Sequence, residues 1–310
     1  MRKALRDILA AGLIIGAAVT ALGILANWFP ALDVVNDGLP FLTAGTLALL
    51  GIALVARRSL TIIGCAILFG VNLLLLFDGL NGAVPAAPEG RARLMRVATF
   101  NIASGNEHIQ AIQSFLLKAD ADIVVLQEVR NLHKELLALL TNTYRYRVGD
   151  SGLVILSKYR IIAEGRIDRA SKPLLIIRWA KLDVNGDEVQ IVGAHLARPF
   201  NPELQQADIN SLTEFVLRQS GALIVAGDFN MTPWTFTLKT FTAATRLRRF
   251  NTFYPTWPMR WRGTRLHPVV ATDNVFASHE FASLGTTVGP YLGSDHRAVV
   301  ADIARIEQAR

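Results

Sequence analysis

The sequence has 310 residues, of which 51% are hydrophobic and 18% are charged, and its mean hydropathy is +0.33. Ordinary soluble domains are about 45–50% apolar and about 25% charged, so this composition excludes a disordered chain. Cys65 is the single cysteine, which excludes a disulfide-stapled scaffold. At roughly 150 residues per domain, the length suits two units.

The two ends of the chain differ in charge. Residues 1–90 carry five basic and five acidic side chains, whereas residues 91–310 carry 27 basic and 20 acidic ones. The net charge of +7 therefore belongs entirely to the C-terminal part. A basic surface suits an anionic partner, and both nucleic acid and an anionic membrane surface remain open.

Three uncharged stretches, residues 8–29, 39–56 and 60–77, follow one another near the N-terminus. A bilayer core requires about 20 apolar residues per helix and tolerates about 17, so each stretch is predicted to span a membrane. Buried core helices are the alternative interpretation. We expect a membrane anchor at residues 1–77, a Gly-, Pro- and Ala-rich linker at 78–94, and a folded domain at 95–310.

The basic residues near these stretches predict the orientation. Three lie before the first stretch, and Arg57 and Arg58 separate the last two. The positive-inside rule places both groups in the cytoplasm, so residues 78–310 are expected outside the cytoplasmic (inner) membrane, in a periplasmic or extracellular location. If the first stretch is instead a cleaved signal peptide, the C-terminal part still lies outside.

From residue 95 onward, short apolar runs alternate with polar turns. Strands are predicted at 96–102, 123–126, 152–156, 174–182, 188–194, 223–226, 274–277 and 298–303, and helices at 107–119, 131–140 and 204–219. The pair Asn185-Gly186 predicts a hairpin. Because strands outnumber helices and both hairpins and helices occur, we expect an α+β fold: a two-sheet β-sandwich flanked by helices.

Polar residues stand at the ends of these apolar strands. They are Asn101, Gln127, Glu128, His195, Asp228, Asn230, Asp273, Asp295 and His296. A carboxylate at the end of a buried strand is costly unless it is paired or bound to a metal. So many polar residues at strand ends predict a functional site.

Seven motifs carry a family resemblance. They are TFNI (99–102), VVLQEV (124–129), GLVILSKYRI (152–161), GAHL (193–196), VAGDFN (225–230), DNVFAS (273–278) and GSDHRAVVADI (293–303). In this order they resemble the endonuclease/exonuclease/phosphatase superfamily, which has the DNase I-like fold. The stretch GDFNMTPWT (227–235) resembles the membrane-anchored bacterial branch of that superfamily.

The resemblance implies hydrolysis of a phosphoester with Mg²⁺ or Mn²⁺ as cofactor. Glu128 is expected to be the main metal ligand, because Mg²⁺ takes few carboxylates together with waters and phosphate oxygens. Asn101 is assigned to the same metal region and to substrate binding, and Asp295 is a candidate second metal ligand.

The remaining motif residues are expected to be catalytic. His296 is the base or a phosphate-binding cation, and Asp273 orients its ring. Asp228 orients or deprotonates the water, so the identity of the base stays open between Asp228 and His296. Asn230 donates to the phosphate oxygens, and His195 is the acid for the leaving group.

Two positions depart from the nuclease branches of the family. Ala103 stands where an Asp often follows the motif asparagine, which weakens a second metal site. Asn274 stands where His or Tyr is usual, so the substrate is in question more than the chemistry.

A segment rich in arginine and aromatic residues lies between residues 246 and 265. It contains Arg246, Arg248, Arg249, Phe250, Phe253, Tyr254, Trp257, Arg260, Trp261, Arg262 and Arg265. We expect Arg260, Arg262 and Trp257 to bind substrate. Contact with lipid head groups is favoured, stacking on bases is the alternative, and a self-packed loop is the third interpretation.

The sequence therefore favours a membrane-anchored phosphoesterase that hydrolyses a phosphate ester or diphosphate, of a lipid, outside the cytoplasm. The first alternative is a membrane-tethered nuclease acting on DNA or RNA. The second is a non-catalytic phospholipid-binding module. The expected partners are the membrane and a phosphorylated lipid or nucleic acid substrate, and no protein partner is predicted.

Overall fold

The computed structural model describes residues 2–80, 83–90, 93–167, 176–250 and 254–306. The chain divides into two units. One comprises Met1–Asn81 with Met231–Thr240, and the other comprises Gly82–Asn230 with Phe241–Arg310.

The first unit is helical. It contains α1 (Arg2–Leu25), α2 (Val34–Asp37), α3 (Leu39–Val55) and α4 (Ser59–Asp78), with a 3₁₀ turn at Pro30–Leu32. By length and composition α1 and α4 can each cross a membrane. The 17-residue α3 qualifies only together with the short helices of Pro30–Asp37, from which it is bent by 59°. Among the described residues, the three predicted stretches thus correspond to two helices, or up to three, that are long and apolar enough to span a membrane.

The first helix ends earlier than the uncharged stretch that predicts it. It stops at Leu25, whereas the stretch runs to residue 29. Residue 29 precedes Pro30, and the residue before a proline is sterically pushed out of the helical region. Phe29 accordingly has φ −127° and ψ 85°.

Polar side chains join the helices of the first unit. Thr20 Oγ1 donates to Asn72 Oδ1 over 3.0 Å, which links α1 to α4. Asn36 Nδ2 donates to the Gly23 carbonyl oxygen over 3.0 Å. Hydrogen bonds of this kind stabilise membrane helix pairs by about 0.6–2 kcal/mol.

The segment Met231–Thr240 groups with these helices, although the sequence assigns it to the C-terminal domain. Helix α8 (Phe236–Thr245) begins in this segment. Asp33 Oδ1 accepts the Phe236 N–H over 3.0 Å, and Asp33 Oδ2 accepts the Thr237 N–H over 2.8 Å. A carboxylate at this end is favourable, because the first N–H groups of a helix lack intrahelical acceptors and carry partial positive charge.

Two further bonds hold the same segment. Asp37 Oδ1 accepts the Thr232 N–H over 3.1 Å. Trp234 Nε1 donates to the Leu76 carbonyl oxygen over 3.2 Å. The residues after Asn230 are therefore hydrogen-bonded at several points to the helical unit.

The second unit contains two six-stranded mixed sheets and a two-stranded hairpin, β10–β11. The strands are β1 (Met95–Asn101), β2 (Ile123–Val129), β3 (Tyr146–Val148), β4 (Gly152–Ser157), β5 (Arg160–Ile167), β6 (Ile176–Val184), β7 (Asp187–His195), β8 (Leu223–Asp228), β9 (Arg248–Arg249), β10 (Arg260–Trp261), β11 (Thr264–Arg265), β12 (Asp273–Ala277), β13 (Phe281–Val288) and β14 (Val299–Arg305). Sheet I has the order β13-β14-β1-β2-β4-β3, and sheet II has the order β5-β6-β7-β8-β12-β9.

Apolar side chains from both sheets form the core between them. They include Val97, Val125 and Ile155 of sheet I and Ile191, Ile224 and Val275 of sheet II. Helices α5 (Ile109–Ala119) and α6 (Lys134–Leu140) cover the other face of sheet I. Helix α7 (Pro202–Leu217) packs Phe215 against Trp179 of sheet II. The predicted two-sheet α+β fold is confirmed.

The turn between β6 and β7 forms at the predicted pair. Asn185 and Gly186 have φ of 56° and 92°, which are the left-handed values that a tight two-residue hairpin requires. The Val84 N–H donates to the Arg249 carbonyl oxygen over 2.9 Å, and Val84 joins the core. Val84, within the predicted linker at 78–94, is thus part of the folded unit.

Candidate functional site

The register of sheet II brings three candidate residues to one edge. Asp228 on β8 stands opposite His195 on the parallel neighbour β7 and opposite Asp273 on the antiparallel neighbour β12. Gly227 precedes Asp228, and a Cβ there would clash with the Ala194 carbonyl oxygen. Close backbone approach at Gly227 therefore sets the spacing of this edge.

His296, just before β14, lies between two of these carboxylates. Its Nδ1 is 2.9 Å from Asp273 Oδ2, and its Nε2 is 3.7 Å from Asp228 Oδ2. Burial lowers the pKa of the His296 ring. The carboxylates of Asp273 and Asp228 raise the pKa by more than burial lowers it, so that it reaches about 10. The ring is therefore an imidazolium at neutral pH.

Asp273 is fully buried and held in place by neighbouring hydroxyls. The Thr272 hydroxyl donates to Asp273 Oδ2 over 3.3 Å, and Thr256 Oγ1 accepts the Asp273 N–H over 3.3 Å. These contacts fix the carboxylate that faces the His296 ring.

The turn after β8 positions Asn230. Its N–H donates to Asp228 Oδ1 over 2.9 Å, and its Nδ2 donates to the Leu196 carbonyl oxygen over 3.0 Å. Asn230 has φ +50°, a conformation that asparagine tolerates better than most residues. His195 lies nearby with Nε2 3.8 Å from Asp228 Oδ2, beyond hydrogen-bonding distance.

Glu128 enters the site through a β-bulge. Gln127 pairs with Leu153 and Val129 with Gly152, so Glu128 is an extra residue in β2. Its φ is +60°, a conformation that costs of the order of 1–3 kcal/mol for a residue other than glycine. Bulges of this kind re-aim a side chain at the edge of a sheet.

The carboxylate of Glu128 is ionised. Oε2 accepts the Ser104 N–H over 2.9 Å, and Oε1 lies 3.4 Å from Asn101 Nδ2. Burial raises the pKa of this carboxyl, but the Ser104 and Asn101 donors and the His195 and His296 rings lower it more, so its pKa lies below the ordinary value.

Asn101 joins the two halves of the site. Its Nδ2 donates to Asp228 Oδ2 over 3.0 Å as well as facing Glu128. Its carbonyl oxygen accepts the Ser294 hydroxyl over 2.7 Å, and Ser294 Oγ accepts the His296 N–H over 3.0 Å. The structure thus brings Asn101, Glu128, Asp228 and His296 together in one hydrogen-bonded group.

An open cleft of about 480 Å³ adjoins Glu128. It is lined by Ala103, Ser104, Gly105, Glu128, Arg198, Arg260, Arg262, Gly263 and Asp295. The predicted substrate-binding residues Arg260 and Arg262 thus lie in the same cleft as the predicted metal ligands Glu128 and Asp295. Trp257 is half-buried and directs Nε1 to Asp295 Oδ2 over 3.4 Å.

The aromatic residues of the 246–265 segment have different surroundings. Phe250 is buried and belongs to the core, and Tyr254 is exposed. Phe253 lies outside the described residues. The segment therefore does not present all of its aromatic rings to solvent as a continuous platform.

Among the residues that the structure describes, two groups could hold a metal ion. Ligand atoms of Asp228, Asp273 and His296 all lie within 4.8 Å of one another. A histidine ligand is a neutral imidazole, so a metal at this group would have to displace the proton that the raised pKa of His296 retains in the metal-free protein. The ionised Glu128, beside an amide and facing an open cleft, fits Mg²⁺ better, because Mg²⁺ retains waters and takes few protein oxygens.

Several contributors were missed from the sequence. Arg198 carries no motif signal, and the sequence assigns no role to Thr256. Ser294 lies within the GSDH motif, which could have identified it. The backbone N–H of Ser104 has no sequence signature, because its role depends on the bulge at Glu128. The two positions that depart from the nuclease branches are also located. Ala103 lines the cleft, and the buried Asn274 donates to the Thr272 carbonyl oxygen over 3.0 Å.

Comparison with known proteins agrees with this fold. A family model described as Endonuclease/Exonuclease/phosphatase family matches residues 98–296. A structure of an endonuclease/exonuclease/phosphatase family protein from Leptotrichia buccalis has a TM-score of 0.56 at 17% identity and covers 67% of this chain and 99% of its own. One from Bacteroides thetaiotaomicron has a TM-score of 0.56 at 16% identity, with coverages of 69% and 98%.

A mutant beta toxin from Staphylococcus aureus, solved with bound magnesium ions, has a TM-score of 0.51 at 14% identity and covers 67% of this chain and 99% of its own. At these identities the structures show a shared fold. No curated protein matches the sequence.

Proposed function

Because the chain belongs to the Endonuclease/Exonuclease/phosphatase family, we propose that it is a metal-dependent phosphoesterase that hydrolyses a phosphate ester or diphosphate of a lipid. Members of this family are hydrolases of phosphoester bonds. The observation that carries the proposal is the arrangement of Asp273, His296 and Asp228 beside the ionised Glu128.

Glu128 and Asn101 would hold the metal, with Asp295 as the further candidate ligand. A bound Mg²⁺ or Mn²⁺ would neutralise phosphate charge and orient the attacking water. The residues of the chain account for the rest of the reaction.

The high pKa of His296 favours its role as a phosphate-binding cation over its role as the base. Asp228 is then the group that accepts the proton of the attacking water. The water oxygen bonds to phosphorus, the bond from phosphorus to the leaving oxygen breaks, and His195 supplies a proton to that oxygen. Asn230 stabilises the charge that builds on the non-bridging oxygens.

The apolar helices α1 and α4 support a location at the cytoplasmic membrane. Arg57 and Arg58 follow α3, and the positive-inside rule puts them in the cytoplasm and the site on the outer face. A membrane-bound hydrolase meets phosphorylated lipids at that surface, which is why a lipid substrate is preferred.

A tethered nuclease is the second candidate. It is favoured by the arginines that line the cleft, because phosphate contacts from Arg and Lys supply most of the affinity for nucleic acid.

The full-length chain in detergent micelles would test these alternatives, with Mg²⁺ or Mn²⁺ present. The panel contains phosphoinositide micelles, an isoprenyl diphosphate, plasmid DNA and RNA, with His296→Gln as the blank. Phosphate release from the lipids supports the proposal. Cleavage of DNA or RNA supports the nuclease. Lipid binding without turnover of any substrate would support a non-catalytic module and reject both enzymes.

A further inference from the structure

The hairpin β10–β11 carries arginines on its strands and at its two-residue turn. Arg260 pairs with Arg265 and Trp261 with Thr264, which leaves Arg262 and Gly263 as the two turn residues. Their φ angles are +48° and +84°, the left-handed pair that matches the twist of a two-residue hairpin. Arg262 therefore stands at the tip of the hairpin.

The base of this hairpin is tied to the catalytic loop. The Met259 N–H donates to the Asp295 carbonyl oxygen over 2.7 Å, and the Leu266 N–H donates to the Met259 carbonyl oxygen over 2.8 Å. Asp295 directly precedes His296. The base of the hairpin is thus hydrogen-bonded to the residue that precedes His296.

Arg198 lines the same cleft as Arg260 and Arg262. Its Nη2 lies 3.7 Å from Glu128 Oε1, and its side chain is 69% exposed. Neither Arg260 nor Arg262 forms an ion pair with an acidic side chain in the part of the chain that the structure describes. Three guanidinium groups therefore line one cleft, and two of them are available to an anion.

The charge in the cleft exceeds what one phosphate requires. Glu128 and Asp295 are its acidic lining residues, and one divalent cation would offset both. Under the proposed function, the reacting phosphate lies at His296 and Asn230 and not at these arginines. A cation at Glu128 would also neutralise the partner of Arg198, so the positive charge of all three arginines would be left for the ligand. Arginine is the side chain best shaped to bind phosphate through two parallel hydrogen bonds.

We propose that Arg198, Arg260 and Arg262 form a second phosphate subsite, so that the substrate is a diphosphate whose two phosphates lie on either side of Glu128. This inference rests on the proposed function for the identity of the reacting phosphate. The diphosphate could belong to an isoprenoid lipid or to a nucleoside, since both present the same charged group.

A nucleic acid strand fits the same residues less well. Strand-binding grooves spread their phosphate contacts along the backbone and add exposed aromatic rings on which bases stack. Here the three arginines converge on one cleft of about 480 Å³, while Phe250 is in the core and Trp257 is directed to Asp295.

Titration calorimetry on the full-length chain in detergent, with Mg²⁺ held constant, tests the subsite with two hydrolysis-resistant probes. Methylenediphosphonate carries two phosphonates and methylphosphonate carries one. The wild type should bind the first at least about tenfold more tightly than the second, equivalent to one charged hydrogen-bonded contact. The double variant Arg260→Gln/Arg262→Gln should lose most of that preference, and Arg198→Gln should lose part of it.

Arg265→Gln is the matched control. It lies on the same hairpin, but its guanidinium carbon stacks 5.0 Å from the Tyr291 ring centre. It should therefore keep the full preference.

Equal affinity of the wild type for both probes, or a preference retained by the double variant, would overturn the subsite. Stronger competition by a short DNA strand than by any diphosphate would overturn it in favour of a strand groove. Geranyl diphosphate and a nucleoside diphosphate are then compared as competitors of methylenediphosphonate. The stronger competitor shows whether the diphosphate belongs to an isoprenoid lipid or to a nucleoside. If the preference holds but no phosphoester is hydrolysed, the proposed function fails while the subsite stands.

Discussion

The side-chain nitrogen of Asn101 lies 3.0 Å from Asp228 Oδ2, and these residues end strands of different sheets. Asn101 ends β1 of sheet I, and Asp228 ends β8 of sheet II. The bond therefore crosses the sandwich at the level of the site. A shift of either sheet would separate the predicted metal ligand Glu128 from the Asp228 carboxylate.

Glu128→Gln should remove metal-dependent turnover while preserving the fold, because glutamine keeps the shape and loses the charge. We expect hydrolysis to fall by about a hundredfold or more, as is usual when a metal or acid–base group is lost. Chelation with EDTA should stop the wild type, and added Mg²⁺ should restore the wild type alone. Glu164→Gln, an exposed position on β5, is the control. Normal activity of Glu128→Gln would remove Glu128 from the site.

The His296 ring should titrate near pH 10 in the metal-free protein. Asp273→Asn removes a carboxylate that raises this pKa, so the pKa should fall, as measured by NMR of the ring. Asp183→Asn, at the hairpin turn, should leave it unchanged. An unaltered pKa in Asp273→Asn would mean that the Asp273 contact does not set the charge of the ring.

The raised pKa of His296 also makes the stability of the fold depend on pH. A folded-state pKa above the unfolded value of about 6.5 means that the folded protein binds the extra proton between these values. The stabilisation is complete below about pH 6.5 and is lost as the pH rises through about 10. The melting temperature of the metal-free wild type should therefore fall across this range relative to that of His296→Gln. Parallel profiles of melting temperature against pH in the wild type and His296→Gln would contradict the raised pKa of His296.

Asp33→Ala should destabilise the start of α8, since the Phe236 and Thr237 N–H groups lose their acceptor. Loss of a helix N-terminal acceptor typically costs about 0.5–2 kcal/mol. Protease cleavage within residues 231–240 of the detergent-solubilised chain should become faster. Asp33→Asn retains an acceptor, so its cleavage rate should lie between those of the wild type and Asp33→Ala. The variant Asp7→Ala, at an exposed position, should be cleaved at the wild-type rate. Unchanged cleavage in Asp33→Ala would show that the contact is dispensable.

Gly227→Ala should disrupt the site through the backbone. The added Cβ would collide with the Ala194 carbonyl oxygen, which belongs to a rigid neighbouring strand. We expect the melting temperature to fall by several degrees, the usual effect of about 1 kcal/mol or more in a domain of this size. Gly105→Ala meets nothing within 4 Å and should melt like the wild type. Equal melting of both variants would mean that β7 and β8 can separate at no cost.

The strands and the hairpin at Asn185-Gly186 were predictable, because alternating apolar residues and turn-forming pairs are local signals. The gathering of polar residues at strand ends also indicated the site. Positive φ angles at residues other than glycine could not be predicted. Ala103, Glu128, Asn230 and Arg262 all have positive φ and all line or border the site. Such conformations are held by tertiary contacts, and a glutamate with φ +60° has no signature in its neighbours.

Contacts between residues far apart in the sequence could not be predicted either. Arg198 reaches Glu128 across 70 positions of the chain, and Thr256 reaches Asp273 through a segment that composition marks as basic and aromatic. Composition also suggested that the residues after Asn230 belong to the C-terminal domain. Only the fold reveals that the carboxylates of Asp33 and Asp37 bond to them.

That last feature limits how the N-terminal helices could be replaced. An anchor that only tethers can be exchanged for any other apolar helices of suitable length, as modular fusions and chimeras often are. These helices also supply the acceptors for Thr232, Phe236 and Thr237, directly downstream of the turn that carries Asn230. A chimera with a foreign anchor would have to reproduce two aspartates at fixed places, and changes in residues 30–40 would have to match those in residues 231–240.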